Sequence, residues 1–329
     1  MARDDYAIVV GISKYPKYDG LSDLEGPEND VANFVEWLES STGGGVRAKK
    51  IEKIISSQFP DPNDRPWYSD VEDVIDGYLV DANSQGGRLG RRLYLFFAGH
   101  GIATDINTPL LLAANARSDR LGAHLPGRAY ADYLKTWGTF DEIILFMDCC
   151  QDYEKNTIPR VLEWGNPSHT PNEAKSFYGF AAKLDEQARE MKMADGKVHG
   201  VFTVALVEAL NQGQINGAEL ERYVYNRMTE LLPPNKFHEP KFPSGDASSI
   251  IFGMGGRAKT PILITFSMLD SNAKVALIDG DFNELAMRQG TESSWQLELD
   301  PGLYEVVVNG SDNGKMFKVI GTSEVTVHV

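Results

Sequence analysis

The sequence has few cysteines, few histidines and a deficit of positive charge. Its 329 residues include two cysteines, Cys149 and Cys150, which are adjacent. Neither a disulfide framework nor a zinc site of four thiolates is therefore predicted. With 32 Lys and Arg against 47 Asp and Glu, the formal net charge is −15. Nucleic acids and anionic membranes select basic surfaces, so neither is expected as a partner.

Metal ligands and long apolar runs are also lacking. Apart from His100, the histidines are scattered without the spacing of metal ligands, so no metal and no cofactor is predicted; they are His124, His169, His199, His238 and His328. No run of 18 apolar residues occurs, and the acidic N-terminal segment does not resemble a signal peptide. We therefore expect a cytoplasmic protein in a reducing compartment.

Apolar runs alternate with helical patterns over residues 1–257. Strands buried on both faces are predicted at residues 6–12, 50–56, 93–97, 142–147 and 177–182. Helices are predicted at residues 27–38, 70–80, 130–137, 200–210 and 218–231. Such alternation is typical of an α/β sandwich with a mainly parallel sheet.

Helical periodicity disappears in residues 258–329. Short runs separated by Asn, Asp and Gly turns predict strands at residues 261–268, 274–278, 295–299, 304–308, 315–320 and 325–329. This part of the chain is predicted to form a second, small all-β sandwich domain.

Two of the predicted parallel strands end in reactive residues. One is followed by Gly99-His100-Gly101 and the next by Asp148-Cys149-Cys150. Ligands bind at the carboxyl ends of strands in open α/β sheets, so an imidazole and a thiol are expected at one edge. A Cys–His pair attacks carbonyl groups, with backbone N–H groups, here those of Gly101 and Cys150, stabilising the oxyanion. A single strand-end histidine would more often be structural; the second strand end favours catalysis.

These segments resemble the caspase-like cysteine peptidases of family C14, nearest to the metacaspases and their prokaryotic relatives. The resemblance covers about residues 4–254 and is carried by "YAIVVGISKYP", "LEGPENDVANFVEWL", "LYLFFAGHG", "IILFMDCC" and "HGVFTVALVEAL". His100 and Cys150 are 50 residues apart, the caspase spacing. The resemblance implies an α/β/α sandwich and a thiol protease.

The resemblance also implies roles for four residues. Cys150 would be the nucleophile and His100 the base, while Asp30 and Asp148 would line the S1 pocket. Two carboxylates there would select Arg or Lys as the P1 residue. The alternatives are a first-turn helix residue for Asp30 and a strand cap for Asp148. Cys149 is expected to be a buried, inert thiol, with a second nucleophile as the alternative.

The chain departs from the family after the nucleophile. Metacaspases continue "Asp-Ser-Cys-His-Ser-Gly", whereas this chain has "Asp-Cys-Cys-Gln-Asp-Tyr". The conformation of the loop after Cys150 is therefore not implied by the resemblance, and no calcium site is predicted.

A long loop is predicted over residues 151–175, where family members are often cut during activation. With a basic P1 residue, Lys155 and Arg160 are predicted self-processing sites, and residues 189–197 are another such segment. The alternative is a surface loop that is not cut.

We expect a cysteine endopeptidase that cleaves protein substrates after Arg or Lys, as a zymogen in a prokaryotic stress, cell-death or defence pathway. The C-terminal domain would bind an activator or regulatory protein. One alternative is a caspase-fold pseudoenzyme or adaptor; another is a non-proteolytic thiol hydrolase.

Overall fold

The chain divides into two compact units, residues 1–254 and 255–329. The computed structural model describes residues 4–60, 64–155, 157–167, 169–243, 245–253, 260–266, 272–279, 284–299, 302–309, 314–319 and 325–328. The predicted domain boundary between residues 257 and 258 lies outside the described residues and stays a prediction.

The first unit contains five α-helices and thirteen strands among its described residues. The helices are α1 (Gly26–Glu39), α2 (Tyr68–Ser84), α3 (Gly127–Trp137), α4 (Val201–Leu210) and α5 (Gly217–Leu231). The strands are β1 (Asp5–Gly11), β2 (Ile51–Ile55), β3 (Gly90–Ala98), β4 (Gly101–Ala103), β5 (Pro109–Leu112), β6 (His124–Leu125), β7 (Phe140–Asp148), β8 (Asp152–Tyr153), β9 (Lys175–Phe180), β10 (Glu190–Lys192), β11 (Val198–Gly200), β12 (Ile215–Asn216) and β13 (Ile251–Phe252). Every helix and strand predicted in residues 1–257 is present, with shifts of a few residues at the ends.

A five-stranded sheet forms the centre of this unit, in the order β2-β1-β3-β7-β9. All four strand pairs are parallel, as predicted. Strands β3 and β7 are neighbours, and Ala98 at the end of β3 pairs with Asp148 at the end of β7. The strand ends that precede His100 and Cys150 therefore lie side by side at one edge of the sheet.

Alternation along each strand divides the core into two layers. On one face Leu95 and Leu145 pack with buried residues of α2 and α3. On the other face Phe96 and Phe146 pack with buried residues of α1, α4 and α5. Because both faces of the sheet are covered, the middle stretches of its inner strands β1, β3 and β7 are apolar, and the architecture is the α/β/α sandwich that the resemblance implied.

The second unit consists of strands only, among its described residues. They are β14 (Thr260–Thr265), β15 (Lys274–Asp279), β16 (Glu284–Gln289), β17 (Ser294–Leu299), β18 (Gly302–Val308), β19 (Lys315–Val319) and β20 (Val325–His328). One sheet has the order β17-β14-β20 and the other β16-β15-β18-β19. Ile264 from the first sheet and Val306 from the second belong to one buried cluster, so this unit is a sandwich with its own core.

In the part of the second unit that the structure describes, β16 is the one strand that the sequence pattern did not predict. Its residues, ELAMRQ, include no β-branched side chain and are mostly good helix formers. The strand lies at the edge of its sheet and pairs only with β15, so tertiary pairing overrides its local preference.

Among the described residues, none of the helices is both long enough and apolar enough to cross a lipid bilayer.

Candidate active site

His100 leaves the end of β3 through a glycine. Gly99 has φ +152°, and a β-carbon there would lie 2.6 Å from the Tyr15 hydroxyl and 2.9 Å from the Ile12 carbonyl oxygen. Any larger residue at position 99 would therefore clash with the loop that follows β1. Gly99 N–H donates to the carbonyl of Asp148, 3.2 Å away, which ties this turn to the neighbouring strand end.

Two residues after β1 fix the histidine. The His100 backbone N–H donates to the Tyr15 hydroxyl at 2.8 Å, and the two rings meet edge to face with centroids 4.9 Å apart. The His100 Nε2 lies 2.9 Å from the carbonyl oxygen of Ser22. Since a carbonyl only accepts, Nε2 carries the proton and Nδ1 of the neutral ring has a free lone pair. Burial lowers the pKa of His100, which favours this neutral form.

Gly101 brings the two strand ends into contact. A β-carbon on Gly101 would lie 2.6 Å from the carbonyl oxygen of Cys150 and 2.7 Å from the sulfur of Cys149. The backbone after His100 therefore packs directly against the Cys149–Cys150 segment, and only glycine allows this approach. Cys149 is buried, and burial raises the pKa of its thiol well above the ordinary value.

Cys150 is partly exposed in a cleft at this edge of the sheet. The cleft is also lined by His100, and the Cys150 Sγ lies 3.8 Å from the carbonyl oxygen of Ala188. Burial, with a smaller effect of the charge of Asp152, raises the pKa of the Cys150 thiol to about 11. The resting site therefore combines a neutral thiol with a neutral imidazole at neutral pH.

The loop after Cys150, which the resemblance left open, is ordered by Gln151. The Gln151 side chain is fully buried, and its amide donates to the carbonyl of Ala182 at 2.5 Å. Its backbone N–H donates to the carbonyl of Glu186, and its carbonyl accepts from Asp185 N–H. Residues 182–190 consequently run alongside the segment that carries Cys150.

Asp30 and Asp148 come together in the same cleft, as the S1 prediction requires. Both are buried, with exposed fractions of 2% and 6%. Asp30 on α1 accepts hydrogen bonds from Gly200 N–H at 3.0–3.1 Å, while Asp148 accepts from the N–H and hydroxyl of Thr203 at 3.0 and 2.6 Å. Burial raises the pKa of Asp30, with the charge of Asp148 adding to the effect, and burial raises the pKa of Asp148 to about 6.

A third carboxylate, Glu190, lines the cleft and was missed at the sequence level. It lies in the hairpin of β10 and β11, and one of its oxygens accepts from the N–H of Gly26 at the start of α1, 3.0 Å away. Burial raises the pKa of Glu190. Its sequence signal was weak, because the hairpin lies 40 residues beyond Cys150 and Glu190 stands in a run of mixed charge. Tyr15 and Ser22 were also not predicted from the sequence, although the chain after β1 leaves the sheet at this same edge.

The two predicted processing residues differ in their surroundings. Lys155 is exposed in a turn. Arg160 is partly buried: its guanidinium pairs with Glu72 at 3.2 Å and lies 3.6 Å from the centroid of the Tyr68 ring. Its backbone N–H also donates to the buried ring of His124 at 3.1 Å. The segment of residues 189–197 contains β10 and the turn that connects it to β11.

An α/β/α sandwich with a histidine and a cysteine at the carboxyl ends of adjacent parallel strands defines the caspase-like class of cysteine peptidases. A family model described as the caspase domain of peptidase family C14 matches residues 4–253. The chain therefore belongs to this family. None of the curated proteins matches it. Among solved structures, it is similar to caspase-1 from Spodoptera frugiperda, with 13% identity over 74% of this chain and 87% of that chain and a TM-score of 0.45.

Proposed function

We propose that the protein is a cysteine endopeptidase that cleaves protein substrates after arginine or lysine. The observation that carries the proposal is the placement of two buried carboxylates, Asp30 and Asp148, in the cleft that holds His100 and Cys150. An entering guanidinium or ammonium group would donate charge-assisted hydrogen bonds to these carboxylates, shielded from water. The third carboxylate, Glu190, adds to the negative charge at the wall of the cleft.

The chemistry would use the two strand ends together. With its Nε2 proton directed at Ser22, the His100 ring offers Nδ1 as the base that removes the Cys150 proton. The thiolate would attack the scissile carbonyl, and the N–H groups of Gly101 and Cys150 would stabilise the oxyanion. The imidazolium would then protonate the leaving amine, and water would hydrolyse the thioester.

The resting chain would be a regulated zymogen. Its thiol is neutral and faces the Ala188 carbonyl, in a segment held against the Cys150 loop by Gln151. Activation would have to move this segment so that the Cys150 thiol can form a hydrogen bond with the His100 imidazole. From the family resemblance alone, we place this zymogen in a prokaryotic stress, cell-death or defence pathway.

Lys155 is the better self-processing site of the two predicted residues. It is exposed, whereas the side chain of Arg160 is held by Glu72 and Tyr68 and would have to leave both before entering a cleft. Processing at Lys155 would free one side of the loop that follows Cys150.

For the second unit we propose the docking of an activator or regulatory protein. What supports this is exposed apolar surface on two of its strands: Leu285 and Met287 on β16 and Met316 on β19 are 49%, 58% and 65% exposed. In the full chain, Leu285→Lys with Met287→Lys should leave turnover of a small peptide unchanged and lower only the response to protein partners.

The decisive experiment is a panel of fluorogenic peptides with Arg, Lys or Asp at P1. Turnover of the Arg and Lys peptides alone, lost in Cys150→Ala and in Asp148→Asn, would support the proposal. Because a zymogen would have no activity before processing, the full chain is assayed before and after limited proteolysis in the loop of residues 151–175. Turnover of none of the peptides in either state would favour the pseudoenzyme, and equal turnover of the Asp peptide would exclude the basic pocket.

A further inference from the structure

His199 stands directly behind the proposed S1 carboxylates. In the sequence it is one of several scattered histidines, but in the fold it is buried. Its Nδ1 lies 3.2 Å from Asp30 Oδ1, and its Nε2 lies 2.9 Å from Asp195 Oδ2. The next residue, Gly200, donates its backbone N–H to Asp30. Two consecutive residues of β11 therefore hold the same carboxylate.

The contacts of the ring favour its protonated form. A neutral imidazole has one N–H and donates to one acceptor, whereas each nitrogen of His199 faces a carboxylate. The hydrogen bond to Asp30 raises the pKa of His199 more than burial lowers it, and Asp195 raises it further. Among its other neighbours, the amide nitrogen of Asn33 on α1 lies 3.3 Å from Nδ1 and, as a donor, favours a ring without a proton there, in competition with Asp30. Met191, the cross-strand partner in β10, is apolar. The carboxyl groups in contact with the ring are thus those of Asp30 and Asp195. Beyond Asp30, the cleft is also lined by Asp148, Glu190 and the cationic Arg189.

This arrangement connects solvent to the cleft. Asp195 lies in the hairpin turn with 47% of its side chain exposed, whereas the side chains of His199 and Asp30 are each 2% exposed. Ionisation of buried Asp30 beside Asp148 is unfavourable unless a cation compensates for it. An imidazolium at 3.2 Å supplies this compensation from the side away from the cleft, which leaves the cleft side of the carboxylate open to a ligand.

We propose that His199 is a positioning residue of the S1 pocket that holds Asp30 in place and makes the charge of the pocket depend on pH in the neutral range. The inference rests on the proposed function, because it assigns the pocket to a cationic P1 side chain. The Asp30–His199 pair shares its protons and titrates as a unit. As pH rises, protons leave this pair and the pocket becomes more negative, so a cationic P1 residue binds more tightly.

The test is the pH dependence of KM for an Arg-P1 peptide in the activated full chain. In the wild type KM should fall with rising pH, by at most about tenfold per pH unit for release of one proton. In His199→Asn, Asp30 loses its cation and keeps its proton to higher pH, so the fall in KM moves to higher pH. In Asp195→Asn the ring loses a negative neighbour, so the fall moves to lower pH.

The opposite direction of the two shifts separates a charge role from a merely structural one. Lower stability or lower kcat in both variants, with the pH profile of KM unmoved, would overturn the inference. Asp195 is exposed, so Asp195→Asn keeps the test usable if His199→Asn does not fold. The matched control is Asp73→Asn, an exposed carboxylate on α2 that should leave the profile unchanged.

A second measurement makes failure of this inference distinguishable from failure of the proposed function. The imidazole of His199 is titrated by NMR in the Cys150→Ala full chain, which needs no turnover. A ring pKa above the ordinary 6.5, lowered in Asp195→Asn, is expected. A ring pKa at or below 6.5 would overturn the inference whether or not peptides are cleaved, whereas absence of any turnover would count against the proposed function alone.

Discussion

A β-carbon on Gly200 would overlap the carboxylate of Asp148. The same β-carbon would lie 3.0 Å from Asp30 Oδ2, so the backbone of Gly200 stands between the two proposed S1 carboxylates. Gly200 has φ −64° and ψ 130°, a conformation open to any residue. The glycine is therefore required for the space that it leaves, and not for its backbone freedom.

Gly200→Ala should reduce kcat/KM for an Arg-P1 peptide by about 100-fold or more, since a displaced carboxylate misplaces the substrate cation. We also expect a loss of about 1–3 kcal/mol in the free energy of unfolding from overpacking. Steady-state kinetics and denaturant titration measure the two effects. Gly77→Ala is the matched control: a β-carbon there meets nothing within 4 Å, so activity should be unchanged. Full activity of Gly200→Ala would contradict the assigned pocket.

Asp148→Asn should abolish cleavage after Arg and yet stabilise the protein above about pH 6. The folded-state pKa of Asp148 is raised from 3.8 to about 6, so its contribution to stability is fully present below pH 3.8 and is lost as pH rises through 6. The asparagine carbonyl still accepts from Thr203, and removal of the buried charge recovers about 3 kcal/mol at most. Unfolding followed at pH 4 and pH 7.5 measures this; equal stability differences at both values would contradict it.

Cys150 in the resting chain should react slowly with iodoacetamide at pH 7. Its thiol pKa of about 11 leaves little thiolate, so the rate should rise roughly tenfold per pH unit over the alkaline range. The alkylation rate is followed by mass spectrometry of the peptide that contains Cys149 and Cys150, with Cys150→Ala to report on Cys149. A rate that is already constant below pH 7 would show a preformed thiolate–imidazolium pair and would exclude the neutral resting state.

Self-processing should depend on Lys155 and not on Arg160. Lys155→Gln should block the appearance of cleaved fragments during activation, because the exposed turn loses its P1 residue. Arg160→Gln should leave cleavage in place and lower the thermal midpoint, since it removes the pair with Glu72 and the contact with Tyr68. Gel electrophoresis with mass determination of the fragments distinguishes the two sites. Fragments that end at Arg160 in the wild type would reverse the assignment.

Most of the fold could be predicted from the sequence, because burial on both faces of a parallel sheet demands continuous apolar runs such as residues 6–12 and 142–147. Edge strand β16 could not, because it is held by pairing with β15 and not by its own composition. In the same way, Gly99, His100 and Cys150 could be found from their positions at strand ends. The register that brings Ala98 level with Asp148 is a property of the sheet.

The sequence by itself determined the strands that end at His100 and Cys150, the family, and the pair of acidic residues assigned to S1. Only the tertiary structure decided what surrounds them. Glu190 lines the cleft and His199 contacts Asp30 from behind it, and both belong to a hairpin that is distant along the chain from Asp30. Ser22, in the loop after β1, selects the tautomer of His100. Local patterns of apolar residues in the sequence indicate which residues are buried. The charge and protonation of a site depend on contacts between segments that only the folded chain brings together.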